Sequence, residues 1–295
     1  MPPDLILTTQ HYKPVSHSQM VMRSFLRNRS ALLGLLILAT FVILALLAPW
    51  IAPYDPAIID LAGRLAGPSP QHWLGTDELG RDILTRILIG SRITLVITML
   101  AVLLALVAGG VMGVIAGLFG GTTDFITSMF IDLLMTMPGF LLAIGIVSVL
   151  GVGTRNVILA VGIASIPAFA RIARGSTMAV KALPYVMAAK ALGVSRTSIM
   201  LHHIAPNIAS PLTVQTSLRL ATAILTASSL SFLGLGTQPP TPEWGAMLST
   251  GRNFLNSAPL LVLFPGVAIL LVTLSFNLIG DGLRDAIDPH VRGRP

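Results

Sequence analysis

Six stretches of this chain contain no Asp, Glu, Lys or Arg: residues 30–54, 93–123, 133–154, 156–170, 220–242 and 253–280. A helix needs about 20 apolar residues to cross roughly 30 Å of hydrocarbon, so five of the six runs reach spanning length unaided. The fourth is short. At 1.5 Å per residue, 156–170 covers about 22 Å and borrows length from Arg155, Arg171 and Arg174 reaching toward the two surfaces. A further run, 197–218, is not read as a span because His202, His203, Pro206, Asn207, Pro211 and Gln215 interrupt it. Hydrophobic residues make up 54% of the chain and charged residues 11%, against about a quarter charged in soluble domains. These runs define an integral membrane protein, with lipid as one expected partner. The net charge of +7 sits in short basic patches between apolar runs, where it reports topology rather than nucleic-acid binding. With no cysteine, a disulfide framework, a thiolate metal site and a cysteine nucleophile are excluded.

Charge asymmetry orients the spans. Before the first stand Lys13, Arg23, Arg27 and Arg29 against Asp4 alone, which places the N-terminus in the cytoplasm. The loop from about 55 to 92 then faces out. Counting 156–170 as a span returns the cationic island 171–207 to the cytoplasm, together with Arg284, Arg292 and Arg294 of the tail. The expectation is a cytoplasmic segment 1–30, a membrane domain 31–280 and a cytoplasmic tail 281–295. Six spans, at about 31–51, 93–118, 131–151, 155–173, 215–236 and 258–280, leave both termini inside. The first span is too long for a signal-peptide core and lacks a convincing cleavage site, so it reads as retained.

In the second span Ala101, Ala105, Gly109, Gly113, Gly117 and Gly121 recur every fourth residue, a small-residue ridge on which a neighbouring backbone can lie close. A phosphate-binding loop is disfavoured, since no strand precedes these glycines and no Lys follows them. Pro138 and Pro167 remove backbone donors inside the third and fourth spans and are expected to kink them. Such kinks suit a substrate path or a packing adjustment.

The island 171–207 carries Arg171, Arg174, Lys181, Lys190 and Arg196 and no acid. Pro184 suits a first helical position, 185–192 are mostly good helix formers, and Gly193 suits the left-handed site that ends a helix. Ser195 suits the cap of a second helix over Arg196–Ile204, with Pro206 breaking the pattern. From periodicity alone two readings stand: a helix, glycine, helix unit shaped to be gripped by a partner, or a basic loop that only anchors topology.

Ala188-Ala189-x-x-x-Gly193, followed after nine residues by His203-Ile204-Ala205-Pro206-Asn207, resembles the EAA loop of permease subunits in bacterial ATP-binding-cassette importers. HWLGTDELGRDILTRILIGSRITL from His72, SFLGLGTQPPTPEWGAML from Ser231 and NLIGDGLRDAIDP from Asn277 resemble the C-type subunit of the dipeptide and oligopeptide permease family. The resemblance runs from about Arg23 to Pro289. It implies an all-α membrane protein with six transmembrane helices, the type I importer permease architecture and a cytoplasmic coupling helix in the inner membrane. The implied partners are a homologous permease forming a heterodimer, two cytoplasmic ATPases that bind ATP and Mg, and an extracytoplasmic binding protein. Met187, Ala188, Ala189, Lys190, Leu192, Gly193 and Pro206 are the implied coupling residues. Met187 replaces the acid that names the motif, so the docking geometry falls to Ala188, Ala189 and Gly193.

The chain's own residues agree with that division of labour. Its three lysines follow Tyr12, Val180 and Ala189, so it has no Gly-Lys-Ser/Thr phosphate loop, and ATP hydrolysis is expected on partner subunits. Asp132 and Arg219 lie toward the cytoplasmic ends of the third and fifth spans and read as interface residues rather than coupling-ion sites. His202 and His203 are adjacent rather than spaced for one helix face, and with His72 alone no metal or catalytic constellation is expected. Asp77, Glu78, Arg81 and Asp82 either hold the outer loop's fold or contact a binding protein. Pro239, Pro240, Pro242 and Trp244 read as a rigid turn with an aromatic at the outer interface. A self-sufficient secondary transporter or channel is the alternative to the importer permease.

Overall fold

The computed structural model describes residues 17–287. Asp4, Lys13, Pro289, Arg292 and Arg294 lie outside the described residues. Helix α1, His17–Arg27, stops at Asn28, whose side chain accepts from the Ala31 amide at 3.1 Å and opens α2, Arg29–Ile51. A loop that is largely exposed up to residue 73 and largely buried from Gly75 on leads to Asp82, which caps α3, Ile83–Phe119, by accepting from the Thr85 amide at 2.7 Å. Helix α3 has 37 residues, about 55 Å at 1.5 Å each. It therefore begins ten residues before the expected span and projects beyond the hydrocarbon.

Gly120 and Gly121, at φ 69° and 55°, separate α3 from α4, Gly121–Met135. The third expected span is broken rather than merely kinked. Pro138 caps α5, Gly139–Leu150, which meets α4 at 90°. A proline that lacks the amide donor and disfavours helix at the preceding residue accounts for the break. Pro167, by contrast, is carried inside the continuous 28-residue α6, Thr154–Lys181. A short α7, Pro184–Ala191, and α8, Arg196–Ile199, lead into a π-helical stretch, Met200–Ile204, and then α9, Ala205–Phe232.

The expected stop at Pro206 is absent, because these last three segments run on as one helix. The Ala205 amide donates to the Met200 carbonyl, five residues back. This wider turn shifts the hydrogen-bond register just before a residue that has no amide to donate. Two further helices, α10, Trp244–Gly251, and α11, Leu260–Ile287, complete the described chain.

Four helices, α2, α3, α6 and α11, are each long and apolar enough to cross a membrane, and the bent α4–α5 pair adds a fifth if taken as one span. The remaining expected span, 215–236, falls on α9, which is 28 residues long but carries Gln215, Arg219 and a series of hydroxyls. The core is built on α3 against α6. A Cβ on Gly109 would sit 2.8 Å from the Phe169 Cβ, and one on Gly117 2.8 Å from the Thr177 Cβ. For Gly113 the neighbours are the Ala170 carbonyl and the Ala173 Cβ. Gly121 does not belong to this ridge: it opens α4 with no atom within 4 Å of where its Cβ would lie. Its φ of 55° shows that its task is the turn. Ala101, Ala105, Val161 and Phe169 continue the buried seam toward α5 and α9, while Trp244, Ile224, Val272 and Phe276 centre a second cluster between α2, α3, α9 and α11.

Candidate functional site

Helix α7 is short because both ends are specified locally. Pro184 follows an extended Leu183, and Gly193 adopts φ 81° after the last turn. The Gly193 amide donates to the Lys190 carbonyl and the Val194 amide to the Ala189 carbonyl, both at 3.1 Å. That double closure needs a left-handed residue at the position Gly193 fills. Ser195 then accepts from the Ser198 amide at 3.2 Å and starts α8. The helix, glycine, helix reading of the island is realised in the backbone.

The unit has an anchored side and a bare side. Val186 packs with Ile199, Ile204 and Ile208 against Val114, Leu118, Val180 and Leu212, which ties α7 to the ends of α3, α6 and α9. Lys181 donates to the Gly117 and Leu118 carbonyls at 3.2 and 2.7 Å. Arg174 holds both oxygens of Asp124, fixing α6 to α4, and the Arg196 guanidinium lies 5.5 Å from the Phe119 ring centre. On the bare side Met187 is 59% and Leu192 84% exposed. Tyr185, Ala188, Lys190 and Ala191 are exposed with them, and Ala189 is half-buried. A cleft of about 900 Å³ separates this loop from the α3–α4 corner, with Gly120, Met178, Met187 and Arg196 in its walls.

Pro206 is exposed and lies behind the unit rather than on α7. Its neighbour Asn207 donates to the Tyr185 hydroxyl at 3.1 Å and to the His203 carbonyl at 2.6 Å. The His203 ring lies edge-on to Tyr185 at 5.8 Å, and His202 contacts Ser198 one turn back. These contacts brace the joint between α7 and α9. Asp132 meets Arg171 at 3.0 Å, with both side chains largely exposed.

At the opposite end of α3 the acidic and basic residues of the loop 55–82 pair with one another. Arg81 reaches Asp77 at 2.7 Å and Glu78 at 2.8 Å, Arg86 reaches Asp77 at 3.3 Å, and His72 reaches Asp82 at 3.0 Å. Asp77, Arg81 and Asp82 are buried, so they hold the fold of this loop. Burial, aided by the nearby Asp77, pushes the Glu78 carboxyl above its ordinary range. Trp244 is not at an interface: it is 0% exposed and its indole donates to the Ile87 carbonyl at 3.1 Å. Sequence reasoning missed Glu243 beside it. Its carboxylate accepts from the Gly245 and Ala246 amides at 3.0 and 2.9 Å and from the Thr94 hydroxyl at 3.3 Å. An acid immediately before WGAML is the cap signal that marked it.

Residues 109–293 match the family described as the binding-protein-dependent transport system inner membrane component, and residues 16–68 match the N-terminal TM domain of oligopeptide transport permease C. The dipeptide transport system permease protein DppC of Alkalihalophilus pseudofirmus is 44% identical over 281 residues, covering 95% of this chain and 92% of the relative. The glutathione transport system permease protein GsiD of Escherichia coli O1:K1 is 46% identical over 272 residues, covering 92% and 90%. Among solved structures, a chain of the inward-facing MetNI methionine ABC transporter shares the fold with a TM-score of 0.56 at 15% identity, over 68% of this chain and 96% of that one. With two segment matches in chain order and relatives aligned almost end to end, the chain belongs to the inner-membrane permease components of binding-protein-dependent transport systems.

Proposed function

We propose that this chain is one of two homologous permease subunits in an ATP-driven importer of dipeptides or oligopeptides. Two cytoplasmic ATPases, which bind the ATP and Mg, supply the energy, and an extracytoplasmic binding protein delivers the cargo. Both termini and the α7 unit face the cytoplasm. The observation that carries this reading is α7, which is bare on one side and anchored on the other through Val186 to α3, α6 and α9, beside the Lys181 bonds that tie the end of α6 to the end of α3. A helix held in this way transmits a push from an ATPase cleft to the helices of the path, and Met187, Ala188, Ala189, Lys190, Leu192 and Gly193 form the transmitting surface. The relatives named for dipeptide and glutathione transport favour peptide-like cargo over the alternative of a self-sufficient transporter or channel.

The test uses the absence of native cysteine. Single substitutions Met187→Cys and Leu192→Cys in the assembled importer are expected to crosslink to the ATPase, and crosslinking is expected to stop peptide uptake into proteoliposomes. Uptake driven by an ion gradient with this chain alone would overturn the proposal.

A further inference from the structure

Arg219 is the fifteenth of the 28 residues of α9 and the fifth of the expected span 215–236. It is half-buried and takes part in none of the ion pairs among the described residues. An ionisable side chain in a membrane helix is costly and is kept where it faces a polar path or a partner charge. The same face of α9 carries Gln215, Arg219, Thr222, Thr226 and Ser229 at alternating steps of four and three residues. This polar ribbon rises about 21 Å at 1.5 Å per residue. It lies opposite the buried positions Ser217, Ala221, Ile224, Ser228 and Ser231, with Thr222 and Ser229 exposed and Gln215, Arg219 and Thr226 half-buried. At one end Gln215 opens into a groove of about 430 Å³ that also holds a second cation, Arg284.

The hydroxyls are arranged to accept. Thr222 donates to the Arg219 carbonyl at 3.0 Å and Thr226 to the Thr222 carbonyl at 2.9 Å. Their oxygens thus keep outward lone pairs for N–H donors. A row of weak acceptors around one unpaired guanidinium complements a molecule with N–H groups and a single carboxylate, which Arg can hold through two parallel hydrogen bonds.

We propose that this ribbon is part of the substrate path and that Arg219 holds the carboxylate of a passing peptide. The inference rests on the peptide-importer reading above and names the group of the cargo that the path recognises. Several weak contacts with one charged stop suit conduction, in which the cargo must bind and also leave.

The test uses the complete importer, with partner permease, ATPases and binding protein, in proteoliposomes. Labelled dialanine and its C-terminal amide are each supplied at concentrations that saturate the binding protein, so the uptake ratio reports the path. The wild type is expected to favour the free acid by about tenfold. Arg219→Gln is expected to bring the ratio close to one, and Arg219→Lys to restore most of it. An unchanged ratio in Arg219→Gln would overturn the assignment. So would loss of the partner permease from the purified Arg219→Gln complex, which would make Arg219 the mate of a partner acid. Failure of the wild type to take up either peptide would overturn the peptide reading itself, a result visible before any substitution is made.

Discussion

Lys181, the last residue of α6, donates to the Leu118 carbonyl at 2.7 Å and so closes the C-terminus of α3, two residues before the chain turns into α4. The final carbonyls of a helix have no partner within it, and a cation placed there satisfies them and opposes the helix dipole. Because α7 begins three residues later, this bond also fixes where α7 stands relative to the bundle.

Lys181→Met keeps the aliphatic stem and removes the charge. We expect a local cost of about 1–2 kcal/mol, read as roughly tenfold faster amide exchange across 184–199 with the membrane helices unaffected. Unchanged exchange in that window would show that Val186 and its cluster hold α7 without help.

Gly193 separates backbone from contact. Its φ is 81° and no atom of this chain lies within 4 Å of a Cβ built there, so within the subunit a substitution is felt through its conformational preference. A β-branched residue in the left-handed region costs about 1–2 kcal/mol, whereas Asn tolerates it. Gly193→Val is expected to leave the spans inserted and ATP hydrolysis running while peptide uptake falls. Gly193→Asn should stay close to wild type. Equal effects from the two would mean that the left-handed turn is not what matters.

The turn at Gly193 was legible because its signals are local: Pro184, Gly193 and Ser195 specify their own backbone. Pro206 misled for the same reason. Its local rule is to stop a helix, and only the five-residue π stretch before it lets the helix continue. Trp244 was misplaced because the prolines around it read as a surface turn, while its hydrogen-bond partners Ile87 and Thr94 lie about 150 positions away in sequence and its apolar neighbours include Phe41, Leu95 and Ile224. The regular spacing of the glycines gave the ridge correctly at 109, 113 and 117. It overran at 121, since periodicity carries no information about where a helix ends.

Gly113 and Gly121 can therefore be set against each other. A Cβ on Gly113 would lie 2.7 Å from the Ala173 Cβ and 2.8 Å from the Arg174 nitrogen, so neither backbone can yield cheaply. Gly113→Ala is expected to weaken α3–α6 packing by about 1–3 kcal/mol and Gly113→Leu to abolish stable subunit. Gly121→Ala meets no neighbour and pays only for φ 55°, about 1–2 kcal/mol, with assembly retained. Subunit recovered from membranes distinguishes the three variants, and equal loss in Gly113→Leu and Gly121→Ala would dissolve the distinction.

Glu243 makes stability depend on pH with a definite sign. Burial pushes its carboxyl above the ordinary value of 4.5, and the bonds from Gly245, Ala246 and Thr94 offset this only in part. The folded chain thus keeps this proton to higher pH than the unfolded chain does. The associated stability is complete below about 4.5 and is lost as pH rises through the folded value, at up to about 1.4 kcal/mol per pH unit. Glu243→Gln removes the titration but leaves a single oxygen acceptor where two serve the α10 cap, costing about 1–2 kcal/mol. Thermal unfolding of the complex from pH 4 to 8 should therefore show the variant less stable at the acid end and gaining on the wild type as pH rises. Parallel curves would mean that the carboxyl does not titrate in the folded protein over this range.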